Sequence, residues 1–312
     1  SDLYARGYPA LMPCYYPLKG YVSRQGGFTR QKSLAYTDRP MELPCGRCIG
    51  CRLEKSRQWA VRLMHEAQMH EVSCFVTLTY NDENLPSDGS LNRKHTQLFW
   101  KRFRQARKRR QRHADEDVRL RYYLCGEYGD ETKRPHYHAI IFNYWPSDAV
   151  AYKKTSYGML YSSAELVSYW QKGFVSCGSV TFETASYTAS YVTKKVAGKN
   201  AASHYKGRVP EFACMSRRPG IGSRWYDKYS SLMWAHDSVV MRGKEMRPPM
   251  FYSNRLKAED EEAYNKIMAN RRKSMDWSEL NTERLIARQK NALARQKKNN
   301  FKREPTDETI NF

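Results

Sequence analysis

The sequence contains no uninterrupted run of about 18 apolar residues, the length that a helix needs to cross a bilayer, so it predicts no transmembrane segment. It has no Gly-x4-Gly-Lys-Ser/Thr loop, which argues against an enzyme driven by P-loop nucleotide hydrolysis. Acidic residues are few, because 32 Asp and Glu face 54 Lys and Arg, for a formal charge of +22. This excess predicts a polyanionic partner. Tyrosine is common at 23 copies and suits stacking on unpaired bases.

Three candidate metal ligands lie on two neighbouring β-rich segments, residues 122–129 and 134–142. Glu127 is near the end of the first segment, and His136 and His138 are in the second. Because alternate side chains of a strand share a face, both imidazoles point the same way, and hairpin pairing brings the carboxylate to that face. Such a site leaves positions for water and substrate and is typical of a catalytic divalent metal. Two partly exposed histidines on a strand are the alternative when the segment is considered alone.

A pair of tyrosines follows downstream. Tyr187 and Tyr191 are four residues apart, and Lys194 and Lys195 come directly after them. On a helix, both tyrosines and either lysine form one stripe. Considered alone, such a pair is more often half-buried packing, but together with the three metal ligands it indicates catalytic nucleophiles.

At this point the sequence resembles the HUH endonucleases that start rolling-circle replication, most closely the initiators of microvirus phages of the gokushovirus branch. Three motifs carry the resemblance in the family's order: the strand Phe-Val-Thr-Leu-Thr-Tyr at 75–80, the Glu127 strand with His-Tyr-His at 136–138, and the tyrosine segment at 187–195. Together they span about residues 72 to 197.

Two further segments resemble the phage branch. They are Pro-Cys-Gly-Arg-Cys-Ile-Gly-Cys at 44–51 and Met-Ser-Arg-Arg-Pro-Gly-Ile-Gly at 215–222. Related two-tyrosine phage enzymes place a lysine just before the second tyrosine, whereas Ser190 stands here. Lys194 and Lys195 are therefore the candidate charge partners.

The resemblance implies a replication initiator that nicks single-stranded DNA at a phage origin through a tyrosine and a divalent metal. It implies a 5′-phosphotyrosine link, a free 3′-hydroxyl for rolling-circle replication, and later rejoining of the strands. Mixed imidazole and carboxylate ligands suit Mn²⁺ or Mg²⁺. A host DNA polymerase and a host helicase are the expected partners, and the bacterial host cytoplasm is the expected location.

The cysteines form an uneven pattern. Cys45, Cys48 and Cys51 lie within seven residues of one another, and with Cys14 they could form a tetrahedral four-cysteine site. The clustering of the eight cysteines favours a metal site in a reducing compartment over a disulfide framework. Structural zinc is the preferred interpretation. The ligand pattern also fits an iron–sulfur cluster, and free thiols or a redox pair remain a further alternative.

Hydrophobic periodicity predicts helices near 53–70, 94–112 and 164–172, and strands near 72–80 and 174–182. With the hairpin and the tyrosine helix, the order is β-α-β-β-α-β-α. This order predicts an α+β fold with a central antiparallel sheet covered by helices.

We expect three segments in the chain. Residues 1–52 are predicted as a cysteine module of loops and short strands, 53–254 as the endonuclease domain, and 255–312 as a basic tail that is helical or disordered. Arg109 and Arg110 lie in a dense run of charge at the end of the second predicted helix. That run is either a solvated surface or a phosphate contact.

A glycine-containing loop carries two more candidate DNA contacts, Arg217 and Arg218, and the aromatic residues Trp225 and Tyr226 follow it. Glycines let a backbone approach a ligand closely, and arginines with aromatic rings could grip a DNA strand. A packed surface loop is the alternative interpretation.

Two other functions compete with tyrosine-dependent nicking. A metal-dependent nuclease could activate water, in which case the tyrosines are structural. A zinc-containing protein could bind nucleic acid without catalysis, in which case Cys48 and the basic tail would matter and Glu127 and His138 would not.

Overall fold

A computed structural model describes residues 14–110, 120–129, 131–156, 158–191, 195–196, 201–274 and 281–301, with the backbone alone at 110 and 296–301. The chain divides into two compact units. One unit is Trp59–His236, and the other combines the described residues up to Gln58 with those from Asp237 onward. The sequence-based domain boundaries at residues 52 and 254 stay a prediction.

The unit formed by the two ends of the chain contains a three-stranded antiparallel sheet in the order β2-β1-β3. Its strands are β1 (Leu18–Ser23), β2 (Phe28–Thr29) and β3 (Ala35–Leu43). Gly26 and Gly27 turn the chain between β1 and β2 with φ of 91° and 78°, a conformation that glycine adopts without steric penalty.

The same unit contains a short hairpin and three helices near the C-terminus. They are β11 (Val239–Met241), β12 (Lys244–Met246), α7 (Met250–Glu259), α8 (Glu261–Lys273) and α9 (Thr282–Phe301). The side chain of Asp260 accepts a hydrogen bond from the backbone N–H of Ala263, which caps the start of α8. The predicted basic tail is therefore helical over α8 and α9.

Residues 59–236 contain a seven-stranded antiparallel sheet in the order β10-β5-β6-β4-β9-β8-β7. Its strands are β4 (Ser73–Thr79), β5 (Arg121–Tyr128), β6 (Pro135–Phe142), β7 (Val150–Thr155), β8 (Gly158–Ser162), β9 (Val175–Ser179) and β10 (Phe212–Met215). The helices from the first part of the chain up to His236 are α1 (Ile49–Ala67), α2 (Arg93–Arg110), α3 (Ala164–Trp170), α4 (Phe182–Ser190), α5 (Ala201–Tyr205) and α6 (Ser223–His236).

The first face of this sheet packs on α2 and α3. Tyr137, Ala139 and Ile141 of β6 point into this layer, and all three are fully buried. They meet aromatic side chains of the two helices, among them Phe99 and Trp170.

The second face packs on α1 and α4. Ile140 and Phe142 of β6 lie in this layer, together with alanines of both helices. By the alternation of a strand, His136 and His138 share the same face. The α+β fold with a central antiparallel sheet covered by helices is thus confirmed.

Three strands were not predicted from the sequence. β7 and β8 form a hairpin at one edge of the sheet, and most of their residues are exposed, so they lack the apolar alternation that indicates a half-buried strand. β10 pairs with β5, from which it is far away in sequence. Of the helices in the described part of the chain, none combines the length and apolar character that a membrane span requires.

Candidate metal centre and tyrosine pair

The pairing of β5 with β6 builds the centre. Glu127 lies directly opposite His136 in the antiparallel register, and Cys125 lies opposite His138. One ligand atom from each of Glu127, His136 and His138 lies within 4.8 Å of the others, and all three residues are buried. The hairpin therefore brings together the three side chains that the sequence pattern selects.

A single carboxylate oxygen faces both imidazoles. Glu127 Oε1 is 2.8 Å from Nε2 of His136 and 3.0 Å from Nε2 of His138. Burial would raise the pKa of Glu127, but the hydrogen bonds and charges of the two histidines outweigh it and hold this pKa well below its usual range. The centre therefore carries a buried carboxylate anion between two Nε2 atoms, which is a donor set that could hold a cation.

The second nitrogen of each imidazole also has a partner. Nδ1 of His136 is 3.2 Å from the carbonyl oxygen of Arg134, and since a carbonyl can only accept, Nδ1 donates. Nδ1 of His138 is 3.0 Å from Oγ1 of Thr77, a hydroxyl that fits either tautomer. These contacts fix both rings with Nε2 directed at the centre.

Helix α4 carries the tyrosines to the same place. It begins with a capping box, in which Thr181 and Thr184 exchange hydrogen bonds between side chains and backbone N–H groups. The ring of Tyr191 is stacked on His138 at a centroid distance of 5.1 Å and an angle of 9°. The ring of Tyr187 meets His138 edge-on, also at 5.1 Å, and meets Tyr191 at 4.6 Å.

The two tyrosines differ in exposure. Tyr191 is only 3% exposed, whereas Tyr187 is half-buried. Burial, followed by the charge of Glu127 and the contact with Tyr187, raises the pKa of Tyr191 well above its ordinary value. Tyr187 is thus the hydroxyl that is more open to a ligand.

The predicted stripe of tyrosines and lysines is only partly helical. α4 ends at Ser190, and Tyr191 is its C-terminal cap. Lys194 lies outside the described residues, and Lys195 is exposed in a non-helical segment, so the expected helix through Lys195 is wrong. The backbone N–H of Val196 donates to the hydroxyl of Tyr205, which anchors the chain just after the lysines.

A second cluster is formed by the four candidate cysteines. The Sγ atoms of Cys14, Cys45, Cys48 and Cys51 lie within 4.8 Å of one another. Cys45 is half-buried and the other three are buried. Each of the eight cysteines is described, and none of them forms a disulfide.

Arg217 and Arg218 are exposed, and the loop that follows them is held from below. The buried carboxylate of Glu66 accepts a hydrogen bond from the backbone N–H of Gly222 at 2.7 Å and forms an ion pair with Arg121. Burial would raise the pKa of Glu66, but its hydrogen bonds and the charge of Arg121 lower it to about 2.

More donors reach the backbone of the same loop. Arg62 donates two hydrogen bonds to the carbonyl of Ile221, at 3.1 Å and 2.9 Å, and Arg121 donates to the carbonyl of Gly220. The sequence analysis did not find this buried support. The partners in these contacts are 55 to 159 positions apart along the chain, and no local pattern joins them.

The remaining candidate DNA contacts are divided. Arg109 is exposed at the end of α2, and the side chain of Arg110 lies outside the described residues. Tyr226 is 2% exposed and cannot offer its ring to a base, so that expectation is wrong. Trp225 is half-buried and stacked on His65 at 3.5 Å, with His65 buried beneath it.

Comparison with known proteins gives consistent results. The family model for the replication-associated protein of the ORF2 type matches residues 73–196. Replication-associated protein VP4 of Bdellovibrio phage phiMH2K is 34% identical over 278 residues, which cover 88% of this chain and 86% of the relative. Replication-associated protein ORF2 of Spiroplasma virus 4 is 33% identical over 230 residues, covering 70% of this chain and 68% of the relative. Replication-associated protein ORF4 of Chlamydia phage 1 is 28% identical over 223 residues, covering 69% and 53%. No solved structure matches the chain.

Proposed function

The chain belongs to the family of phage replication-associated proteins, and we propose that it initiates replication by nicking single-stranded DNA at a phage origin with a tyrosine nucleophile. One observation carries the proposal: the rings of Tyr187 and Tyr191 both contact His138, which is one of three converging ligands. A hydroxyl nucleophile beside a cation site is the arrangement that covalent attack on a phosphodiester requires.

The cluster fits a divalent cation. It offers one carboxylate oxygen and two imidazole nitrogens from Glu127, His136 and His138, all within 4.8 Å of one another, and both rings are fixed by contacts to their second nitrogens. Such mixed ligands suit Mn²⁺ or Mg²⁺ with retained waters. When bound, the cation would neutralise charge on the scissile phosphate.

The chemistry falls to the tyrosines. We assign the first attack to Tyr187, because it is the more exposed of the pair. Its hydroxyl loses a proton, the oxygen bonds to phosphorus, and the bond from phosphorus to the 3′-oxygen breaks. The 3′-oxygen takes up a proton and leaves as a hydroxyl, while the 5′-phosphate stays on the tyrosine.

Tyr191 supplies the second cut. While Tyr187 holds the 5′ end, a second hydroxyl can attack the origin that replication regenerates, and the newly freed 3′-hydroxyl then attacks the first phosphotyrosine and closes a circle. The phosphotyrosine keeps the energy of the original bond, so the reaction consumes no nucleotide. Lys194 and Lys195 are the candidate charge partners of the phenolates.

Exposed arginines would hold the strand. Arg217 and Arg218 precede a loop whose backbone is fixed by Glu66, Arg62 and Arg121, so their charges are presented from a rigid base. Arg109 and Arg110 at the end of α2 add positive charge. Such groups neutralise phosphates without reading the sequence. The freed 3′-hydroxyl requires a host polymerase and unwinding requires a host helicase, so we expect the protein to act in the bacterial host cytoplasm.

The test is a cleavage assay on single-stranded oligonucleotides that tile the cognate phage genome, with Mn²⁺ present and a denaturing gel that detects protein joined to labelled DNA. We expect an adduct that depends on Mn²⁺, disappears in the Tyr187→Phe/Tyr191→Phe double variant and in Glu127→Ala, and persists in Tyr161→Phe. Tyr161 is a matched control because it is a half-buried tyrosine of β8, toward the edge of the sheet.

Two outcomes would contradict the proposal. Cleavage without an adduct, unchanged in the double variant, would show a nuclease that activates water. Origin binding that survives Glu127→Ala but is lost in Cys48→Ser, with no cleavage of any oligonucleotide, would show a non-catalytic nucleic-acid-binding protein.

A further inference from the structure

The four-cysteine cluster draws its ligands from two separate parts of the chain. Cys14 precedes β1, whereas Cys45, Cys48 and Cys51 extend from the end of β3 into the first turn of α1. Gly46 has a φ of 71°, which lets the chain fold back between the first two of these three cysteines. Four thiols thus meet although 31 residues separate Cys14 from Cys45.

Backbone N–H groups are directed at the sulfur atoms. The N–H of Cys45 donates to Sγ of Cys14 at 3.2 Å, and that of Cys48 donates to Sγ of Cys45 at 3.3 Å. Sγ of Cys48 accepts from the N–H groups of Tyr15 and Cys51, at 3.4 Å and 3.5 Å. Donors of this kind stabilise negative charge on sulfur, and thiolate is the form that binds metals.

The spacing of the sulfur atoms separates the alternatives. In a tetrahedral zinc site, with Zn–S bonds of about 2.3 Å, neighbouring thiolates are roughly 3.8 Å apart. An upper limit of 4.8 Å on every Sγ–Sγ distance fits that tetrahedron. A polynuclear iron–sulfur cluster distributes its thiolates over several irons and therefore holds them farther apart.

We propose that Cys14, Cys45, Cys48 and Cys51 bind a single structural zinc ion. All four ligands are protein thiolates, so no position is left for water or substrate, which is the mark of a structural site. The ion would join the segment before β1, the end of β3 and the start of α1, where the small sheet offers few buried side chains of its own. Zinc binding by the four thiols would release their protons.

Metal analysis of the purified full chain tests this directly. We expect zinc equimolar with protein in the wild type, zinc retained in Cys214→Ser and in His138→Ala, and zinc lost in Cys48→Ser. Cys214 lies outside the cluster, and His138→Ala removes a ligand of the Glu-His-His centre, so this pair of variants assigns the zinc to one cluster.

A second measurement does not depend on the folding of a cysteine variant. An organomercurial titrated into the wild type should release zinc to an indicator dye as the clustered thiols react. Replacement of zinc by Co²⁺ should give the intense visible bands of tetrahedral thiolate coordination. Iron in place of zinc, a metal-free protein with four reactive thiols, or a disulfide among the four would each overturn the proposal.

A second inference concerns Phe174, which lies just before β9. Thr79 of β4 is opposite His136 in the β4–β6 register, and its backbone N–H donates to the carbonyl of Phe174 at 3.0 Å. Residues opposite each other in antiparallel strands share a face. Glu127, His136, Thr79 and Phe174 therefore form one row across the sheet, on the face that carries the ligand cluster.

The position of Phe174 is fixed although its side chain is 47% exposed. The preceding residue, Gly173, has a φ of 142°, and a Cβ there would lie 2.3 Å from the backbone nitrogen of Asn81. The N–H of Asn81 also donates to the carbonyl of Lys172 at 3.0 Å. A close backbone approach thus holds a partly exposed aromatic ring on the functional face.

We infer that Phe174 is a stacking platform for a base of the single strand, beside the phosphate that is cut; this inference rests on the proposed function. A fixed aromatic ring suits a DNA base because every base has an apolar face, and stacking requires little further ordering of the protein.

Fluorescence anisotropy with labelled single-stranded DNA tests it. We expect Phe174→Ala to weaken binding on the order of tenfold, Phe174→Trp to restore it, and Val150→Ala, at a 64% exposed apolar residue of edge strand β7, to bind as wild type. Removing one base at a time from the oligonucleotide should identify one abasic position at which Phe174→Ala causes no further loss.

Wild-type affinity in Phe174→Ala, or an equal loss on every abasic oligonucleotide, would overturn the inference. Binding is measured without cleavage, so a protein that stacks a base on Phe174 but forms no covalent adduct would contradict the proposed function and leave this inference standing.

Discussion

Thr77 Oγ1 lies 3.0 Å from Nδ1 of His138 and connects the middle of β4 to a ligand of the Glu-His-His centre. The hydroxyl fixes the ring from behind while Nε2 faces Glu127 at 3.0 Å. A partner of this kind sets the orientation and basicity of a metal ligand. Thr77 is therefore a positioning residue in the proposed reaction.

Removing this hydroxyl should weaken the centre without removing a ligand. We expect Thr77→Val to lower the apparent Mn²⁺ affinity in the cleavage assay by about 10- to 100-fold, and Thr77→Ser to retain most of it. Thr79→Val is the matched control, since the Thr79 hydroxyl is directed at the carbonyl of Phe174. A Thr77→Val protein that titrates with Mn²⁺ like the wild type would remove this role.

Arg217 and Arg218 should act on binding more than on chemistry. Replacing both with alanine should weaken single-stranded DNA binding on all sequences and reduce the slope of log affinity against log salt by roughly 0.7 for each lost phosphate contact. Arg255→Ala, which removes one charge that pairs with Glu259, serves as control. An unchanged salt slope in the double variant would exclude phosphate contact at this loop.

The Glu66–Arg121 pair should be important for stability. Glu66→Ala leaves the buried Arg121 guanidinium without its carboxylate and frees the N–H of Gly222, so we expect a loss of about 3–5 kcal/mol in the free energy of unfolding by urea. Asp82→Ala breaks the exposed pair with Arg134 and should cost at most about 1 kcal/mol. Similar losses in both variants would contradict the role given to burial.

His65 should make the protein sensitive to mild acid. Burial lowers its pKa to about 3, whereas the unfolded chain binds this proton near pH 6.5. As pH falls below about 6.5, the unfolded state gains a proton that the native state lacks, so stability falls by at most about 1.4 kcal/mol for each pH unit. Thermal unfolding of His65→Gln should depend less on pH between about 5 and 6.5, above the range in which carboxylates titrate.

The control for this effect is His236→Gln, since His236 is exposed at the end of α6. It should keep the pH dependence of the wild type. The slopes are compared rather than the absolute stabilities, because a buried amide at position 65 also changes packing. Identical slopes for His65→Gln and the wild type would show that His65 takes up its proton in the folded protein.

The local parts of the site could be predicted from the sequence. His136 and His138 share a face because a strand has a period of two, and the turn between β5 and β6 is short enough to bring Glu127 opposite. The cysteines at 45, 48 and 51 are likewise grouped by their spacing alone. These predictions need only the geometry of one hairpin or one turn.

The remaining parts depend on contacts between distant segments. Thr77 meets His138 only because β4 is the next strand to β6, and Phe174 joins the same row through β4. The end of α4 was misplaced because no glycine or proline follows Tyr191 before Gly198 to mark a stop. The β7–β8 hairpin was missed because its side chains are exposed on both faces.

The most direct test of the account is to locate the covalent bond. The wild-type protein would react with an origin oligonucleotide in Mn²⁺, and the adduct would be digested and mapped by mass spectrometry. We predict a nucleotide joined through its 5′-phosphate to Tyr187. Cut DNA with a free 5′-phosphate and unmodified peptides at both Tyr187 and Tyr191 would contradict tyrosine-dependent nicking.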